Sequence, residues 1–302
     1  MSTSYHVAVI GLGAMGMGAA RSCLRAGLTT YGIDLSEQAR SQLQQAGAAA
    51  VMADARPLAE TLDAVLLLVV NATQVRRILL GEAGLARHLK PGTAIMVSST
   101  IAAEEASALA AELALMGLPM LDAPVSGGAI KADAGEMTVM AAGSDAAFDK
   151  LAPVLDAVAG KLYRVGSEPG QGSTVKIIHQ LLAGVHIAVA AEAMALASRA
   201  GVSLDLMYDV VTHAAGNSWM FENRMPRVLT GDYQARSAVD IFVKDLTLVA
   251  DTAKALRFPL PLASTALNMF LSASNAGHGQ EDDSAVIKIF SGITLPGQEE
   301  QA

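Results

Sequence analysis

His6-Val7-Ala8-Val9-Ile10-Gly11-Leu12-Gly13-Ala14-Met15-Gly16 decides the fold of the first half of this chain. A short run rich in Val and Ile passes directly into glycines spaced G-x-G-x-x-G, which sets a β-strand against the start of a helix across a tight turn. Gly11 permits the turn, Gly13 lets the backbone approach a pyrophosphate, and Gly16 lets the helix pack on the strand. Leu12, Ala14 and Met15 complete the loop, and the helix N-terminus turns its positive pole toward the phosphates. The second strand ends at Asp34, 18 residues after Gly16, where a carboxylate accepts hydrogen bonds from the adenosine ribose hydroxyls. A 2′-phosphate at that place would meet like-charge repulsion with no adjacent Arg, so the expected cofactor is NAD rather than NADP. A turn followed by an N-capping Asp would use the same residues; the strand-turn-helix context favours the nucleotide.

Outward from this stretch, short apolar runs alternate with amphipathic segments to about residue 165, the pattern of βα units around a parallel, doubly wound sheet. The strands read as His6 to Ile10, Thr29 to Ile33, Ala64 to Val70, Thr93 to Val97, Pro119 to Leu121 and Thr138 to Ala142. Val65 to Val70 is apolar at every position, as a central strand covered on both faces requires. After Gly170 the texture becomes Ala-, Leu- and Met-rich and helical, beginning with an apolar segment from about Gly172 to Ala200. The expectation is an α/β Rossmann domain over 1–168 and an all-α C-terminal domain over 169–302, joined by a long interdomain helix. Phe258 to Gln280, uncharged but broken by Pro259, Pro261 and several Ser and Asn residues, reads as a buried helix, and Leu295 to Ala302 as a frayed tail.

Composition excludes several classes. The 302 residues are 52% hydrophobic, 17% charged and 4% aromatic, too apolar for disorder. A mean hydropathy of +0.39 raises the membrane question, yet no run of about 18 apolar residues is free of polar interruption. Twenty-one basic against 29 acidic residues give a net charge of −8, and no Lys/Arg run supplies a nucleic-acid footprint. The single cysteine, Cys23, excludes an internal disulfide and fits a reducing compartment. No basic leader precedes the first strand, so the expected address is the cytoplasm.

Two further clusters carry chemistry. Asp122-Ala123-Pro124-Val125-Ser126-Gly127-Gly128 follows a strand and falls at the carboxyl edge of the sheet, where ligands bind. The Ser126 hydroxyl and the unshielded N–H groups of Gly127 and Gly128 suit a substrate carboxylate; a Pro/Gly turn would look the same. Lys176 opens the second domain and shares a helical face with His179, Gln180, Ala183 and Ile187. A lysine in a low-dielectric setting can act as general base toward a hydroxyl, although a snorkelling lysine at a helix start is common. The expected consequence of a lysine base is faster oxidation at alkaline pH. His179 and His186 stand seven apart, without the i, i+4 spacing and third ligand of a helical metal pair, so no metal is expected. Asn217, Ser218, Trp219 and Phe221 read equally as a pocket wall or as a buried aromatic turn.

Taken together, GLGAMG (Gly11–Gly16), DAPVSGG followed by GEMTVMAAG (Asp122–Gly143), GQGSTVK (Gly170–Lys176) and FVKDLTLVAD (Phe242–Asp251) resemble the β-hydroxyacid dehydrogenases, relatives of 3-hydroxyisobutyrate dehydrogenase. The resemblance runs from His6 to Ile293. It implies an NAD(P)-binding Rossmann domain, an all-helical second domain and an active site between them. It also implies Lys176 as the catalytic lysine, Ser126, Gly127 and Gly128 as the substrate-carboxylate loop, Lys244 as a lysine near the cofactor, and Asn71 and Thr100 as dinucleotide contacts. Without it, Lys244 would read as a surface residue paired with Asp245. Many members carry Lys-x-x-Asn-Asn where this chain has Lys176-Ile177-Ile178-His179-Gln180. Gln180 still offers an amide and His179 adds an imidazole, which suits a polyhydroxylated acid better than an isobutyrate skeleton. KIIHQLLAGVHIA (Lys176–Ala188) and GNSWMFENR (Gly216–Arg224) are similar to the members that oxidise the 2-hydroxyl of L-threonate to 2-oxo-tetronate with NAD. A 3-hydroxyisobutyrate or tartronate-semialdehyde activity is the alternative, and an NAD-reading sensor without turnover is the reading from another class. The resemblance implies a homodimer or homotetramer.

Overall fold

The computed structural model describes residues 4–296. The chain divides into two compact units, Met1–Lys176 and Ile177–Ala302, the division falling inside a long helix.

In the first unit, the strands among the described residues are β1 (His6–Ile10), β2 (Thr29–Ile33), β3 (Ala50–Met52), β4 (Ala64–Leu67), β5 (Ala94–Val97), β6 (Met120–Asp122), β7 (Val125–Ser126), β8 (Met137–Ala142) and β9 (Ala159–Gly166). They form one sheet in the order β3-β2-β1-β4-β5-β6-β8-β7, with β9 paired to β8. From β3 to β6 every pairing is parallel, with Val9 beside Gly32 on one side and Leu66 on the other. The expectation of a wholly parallel sheet is corrected beyond β6: β8 runs antiparallel to β6 and β7, and β9 lies parallel to β8. The reason is connection length. Ten residues separate Ser126 from Met137, fewer than the dozen or more that a parallel crossover needs. Strand β4 stops at Leu67, short of the expected Val70.

The alternation of side chains assigns the two faces. Val7, Val9, Ala64, Leu66, Met96 and Leu121 enter one core; Ala8, Ile10, Val65, Leu67, Ile95, Val97 and Met120 enter the other. Burying each Val, Leu or Ile contributes about 1.5–3 kcal/mol. Helices α1 (Ala14–Arg25), α2 (Glu37–Gln45), α3 (Ala72–Leu80), α4 (Ala103–Ala114), α5 (Gly128–Ala134) and α6 (Asp145–Val158) belong to this unit. Their starts follow local chemistry: Ser36, Asn71 and Ser144 each accept a backbone N–H of the first turn of α2, α3 and α6.

Helix α7 (Gln171–Arg199) begins in the first unit and continues through the second, which adds α8 (Leu204–Thr212), α9 (Trp219–Thr230), α10 (Val239–Ala255) and α11 (Pro261–Ala273). Their common core holds Ile187, Met194, Met225, Leu246 and the stacked rings of Phe242 and Phe270, 5.2 Å apart. By length and composition α7 could cross a membrane, yet half of its apolar window is buried within the protein. The expected burial of Phe258–Gln280 holds for one face only: Phe270 is enclosed while Phe258, Leu262 and Leu271 are exposed. The tail expectation is corrected at Leu295, which is buried in this core; residues 297–302 of that tail lie outside the described residues.

Candidate active site

Because β1, β2, β4, β5 and β6 are parallel, their carboxyl ends fall along one edge of the sheet. The chain leaving that edge carries Gly11–Gly16, Asp34, Asn71, Thr100 and Ser126–Gly128. A Cβ on Gly16 would stand 1.7 Å from the Gly11 carbonyl oxygen, so only glycine lets α1 start this close to the turn. A Cβ on Gly13 would meet nothing within 4 Å, and α1 has no side-chain cap at that residue. Open space beside uncapped helical N–H groups fits a dinucleotide pyrophosphate. At the end of β5, the buried Ser99 Oγ has no partner, next to Thr100, which agrees with a ligand completing this edge.

The Asp34 carboxylate is already oriented. Its Oδ2 accepts the Leu12 N–H at 2.6 Å and its Oδ1 the Ser36 N–H at 2.8 Å. Ser36, not Asp34, caps α2. One sequence expectation is corrected here, since an arginine does stand beside Asp34: Arg40 Nη1 donates to the Asp34 and Leu35 carbonyls at 2.8 and 2.9 Å. It is six residues away in sequence, and the first turn of α2 brings it back. Asn71 spends its Oδ1 on the Gln74 N–H at 2.9 Å as the cap of α3, leaving its amide hydrogens for other acceptors.

Gly127 and Gly128 have φ of 134° and 71°, consecutive positive values that favour glycine, after Ser126 and at the start of α5. The residues before them are clamped: Ser98 Oγ donates to the Ala123 carbonyl at 2.8 Å, and the Met140 N–H donates to the Pro124 carbonyl at 3.0 Å. Asp122, fully buried, accepts the N–H groups of Gly170 and Ser173, each at 2.8 Å, and the Ser173 hydroxyl at 2.7 Å. Burial holds its carboxyl above the usual range, against the pull of those donors.

Lys176, on the second turn of α7, is 6% exposed. One turn further, in the second unit, a polar chain begins. His179 Nδ1 lies 2.9 Å from Gln180 Oε1, Gln180 Nε2 donates to Asp245 Oδ2 at 2.5 Å, and Lys244 Nζ donates to Asp245 Oδ1 at 2.5 Å. A carboxylate only accepts, so it fixes the Gln180 amide with nitrogen toward Asp245 and oxygen toward His179, and the His179 Nδ1 then carries a hydrogen. The sequence names Lys176, His179, Gln180 and Lys244; Asp245 as the group that joins Gln180 to Lys244 emerges only from the helix packing of α7 on α10. Lys244 is thus both paired with Asp245, as its neighbour suggests, and part of a polar chain with His179 and Gln180.

The reading of Asn217, Ser218, Trp219 and Phe221 divides. Trp219 is half exposed and lines a cavity of about 360 Å³ with Tyr208, Thr212, Glu222 and Asn223. Phe221 is buried and stacks on Tyr208 at 5.8 Å, Ser218 caps α9, and Asn217 donates to Glu222. Among the described residues no group of three or more His, Cys, Asp or Glu is placed to hold a metal ion. Burial pushes the Cys23 thiol up to about 12, which leaves it unreactive.

Residues 6–166 match the model of the NAD binding domain of 6-phosphogluconate dehydrogenase, and residues 170–290 the model described as NAD-binding of NADP-dependent 3-hydroxyisobutyrate dehydrogenase. The chain is 73% identical to an L-threonate dehydrogenase of Escherichia coli O6:H1 over 98% of both chains. It is 69% identical to an L-threonate dehydrogenase of Pectobacterium atrosepticum over 99% of this chain and 98% of that one. The crystal structure of a 3-hydroxyisobutyrate dehydrogenase from Salmonella typhimurium is 70% identical, with a TM-score of 0.92 over 95% of this chain and 100% of that one.

Proposed function

The chain belongs to the β-hydroxyacid dehydrogenases related to 3-hydroxyisobutyrate dehydrogenase, and on that premise we propose that it oxidises the 2-hydroxyl of L-threonate to 2-oxo-tetronate with NAD. The carrying observation is the hydrogen-bonded series His179–Gln180–Asp245–Lys244, which follows Lys176 on α7. Within it, His179 and Gln180 stand where many members carry two asparagines, and the added imidazole suits a polyhydroxylated acid better than an alkyl acid. The names of the E. coli and Pectobacterium relatives support the same substrate. The Salmonella relative's name supports 3-hydroxyisobutyrate as the second reading.

In this reading the substrate carboxylate rests on the Ser126 hydroxyl and the N–H groups of Gly127 and Gly128. Lys176 removes the proton of the 2-hydroxyl, while Gln180 and His179 hold the remaining hydroxyls. A bound dinucleotide would supply the hydride acceptor for the carbinol carbon; Gly11 to Gly16 would cradle its pyrophosphate, Asp34 would take the adenosine ribose, and Asn71, Thr100 and Lys244 would contact the rest. The protein supplies geometry and proton transfer. Ile178, Leu182, Val189 and Leu196 are exposed along one side of α7, and this unmet apolar stripe supports a homodimer or homotetramer. A sedimentation experiment that finds only monomer at working concentration overturns that part. The single buried Cys23 fits a cytoplasmic address.

The deciding experiment follows NADH or NADPH formation from L-threonate, D-threonate, D-erythronate, D-glycerate and 3-hydroxyisobutyrate, each with NAD and with NADP. L-threonate with NAD is expected to give the highest kcat/KM. A preference for 3-hydroxyisobutyrate or D-glycerate overturns the substrate and the role of His179 while leaving the family intact. Lys176→Ala is expected to lower kcat by about 100- to 10,000-fold, the usual worth of a general base, with the NADH Kd changed by less than about twofold. Retention of turnover by that variant removes Lys176 as the base.

A further inference from the structure

We propose that Asp122 is a positioning residue that fixes the spacing between the substrate-carboxylate loop and the catalytic lysine; the inference rests on the roles given to Ser126–Gly128 and Lys176 above. Asp122 is the last residue of β6 and the first of the segment that leads to Ser126. Its carboxylate crosses to the start of α7 and takes the N–H groups of Gly170 and Ser173 and the hydroxyl of Ser173. Lys176 follows one turn later on the same helix. One fully buried side chain therefore joins the root of the carboxylate loop to the root of the helix that carries the base.

Both sides of the joint are stiff. On the loop side, the Ala123 N–H donates to the Val97 carbonyl at 2.9 Å, and Ser98 and Met140 hold the carbonyls of Ala123 and Pro124. On the helix side, Gly172 is seated so closely that a Cβ would lie 2.4 Å from the Asp122 carbonyl and 2.7 Å from that of Met140. The start of α7 thus rests on the end of β6 and on the middle of β8 and has no room to slide. An N-cap ordinarily comes from the residue just before the helix. Here it comes from a strand 51 residues upstream of Ser173, so it registers two parts of the molecule rather than one. Because a misplacement of about 1 Å between reacting groups can cost about 100-fold in rate, such a joint reads out in kcat. A cap that only stabilised the fold would lower Tm and leave the kcat of the folded enzyme unchanged.

The test compares Asp122→Ala, Asp122→Asn, Ser173→Ala and Lys176→Ala in the full-length protein. Measurements are kcat and KM for the preferred acid, the Kd of NADH by fluorescence, and Tm. Asp122→Ala loses all three links and is expected to lower kcat about 100-fold while the NADH Kd moves by less than about threefold. Asp122→Asn is expected to recover kcat to within about fivefold of the parent: its amide oxygen can accept both N–H groups, and its NH2 can donate to a rotated Ser173 hydroxyl. Ser173→Ala removes one link and is expected to lower kcat about fivefold, which keeps the proposal testable if Asp122→Ala does not fold. Unchanged kcat in a folded Asp122→Ala or in Ser173→Ala overturns the proposal. So does equal loss in Asp122→Asn and Asp122→Ala, which would assign the effect to charge, and so does a rise in KM alone. If Lys176→Ala retains turnover, the reading of the base fails first, and the two failures are told apart.

Discussion

Asp34 and Arg40 place two opposite charges side by side at the end of β2. The carboxylate is held by the Leu12 and Ser36 N–H groups, and the guanidinium lies on the carbonyls of Asp34 and Leu35 with one nitrogen used for both. In the proposed site, a 2′-phosphate would meet repulsion from the first and attraction from the second. Asp34→Asn is therefore expected to tighten NADPH binding at least about tenfold, a change of about 1.4 kcal/mol, measured by nucleotide fluorescence. Adding Arg40→Ala is expected to abolish that gain. Equal NADPH affinity in the single and double variants would remove Arg40 from the account. Asp34 itself was legible in the sequence, because strand end and carboxylate are adjacent in the chain. Arg40 was not, since only the path of α2 returns it to β2.

Among elements, the β1–α1 turn gives the sharpest contrast. Gly16→Ala drives a methyl into the Gly11 backbone carbonyl, which cannot swing aside as a side chain could, and is expected to cost about 1–3 kcal/mol in urea unfolding together with NADH binding. Gly13→Ala, with open space around its Cβ and an ordinary φ of −67°, is expected to change stability by less than about 0.5 kcal/mol while weakening NADH binding, since the methyl occupies the space given to the pyrophosphate. Parallel loss of stability in both variants would deny Gly13 a ligand role. Strand pattern served well where both faces are covered, as in β1, β2 and β4. It failed for β9, which exposes Gly160, Lys161, Tyr163 and Arg164 and so carries no apolar run, and for β3 and β7, which are too short to set a period.

In the second unit, stability responds to pH through a buried pair of carboxylates, Asp282 and Asp283. Arg224 grips Asp283 with Nε at 2.6 Å and Nη2 at 3.0 Å, and Arg227 pairs with Asp282 at 2.5 Å. Burial pushes the Asp283 carboxyl from 3.8 up to about 6, with Arg224 opposing, whereas the Arg227 and Ser284 contacts hold Asp282 below the usual range despite its burial. A raised carboxyl pKa means that the folded state binds the proton more tightly than the unfolded chain. Its contribution is complete below the unfolded value and is lost as pH rises through about 6. Asp282 contributes in the opposite sense and is lost toward acid. Asp283→Asn is expected to lower Tm by breaking a buried pair, and the deficit relative to the parent is expected to shrink between pH 4 and 6. A deficit constant across that range would show that Asp283 does not titrate there.

The sequence by itself determined the strand-turn-helix of Gly11–Gly16, the switch from βα units to helices after Gly170, and the candidates Asp34, Ser126, Gly127, Gly128 and Lys176. All of these rest on interactions between residues close in the chain, where periodicity and glycine spacing speak directly. Only the tertiary structure decided the antiparallel turn of the sheet beyond β6, the place of Arg40, the link from Gln180 to Asp245 across 65 residues, and the hold of Asp122 on the start of α7. A buried carboxylate must find donors wherever packing brings them, and no local pattern in the chain records which distant amide or hydroxyl will arrive.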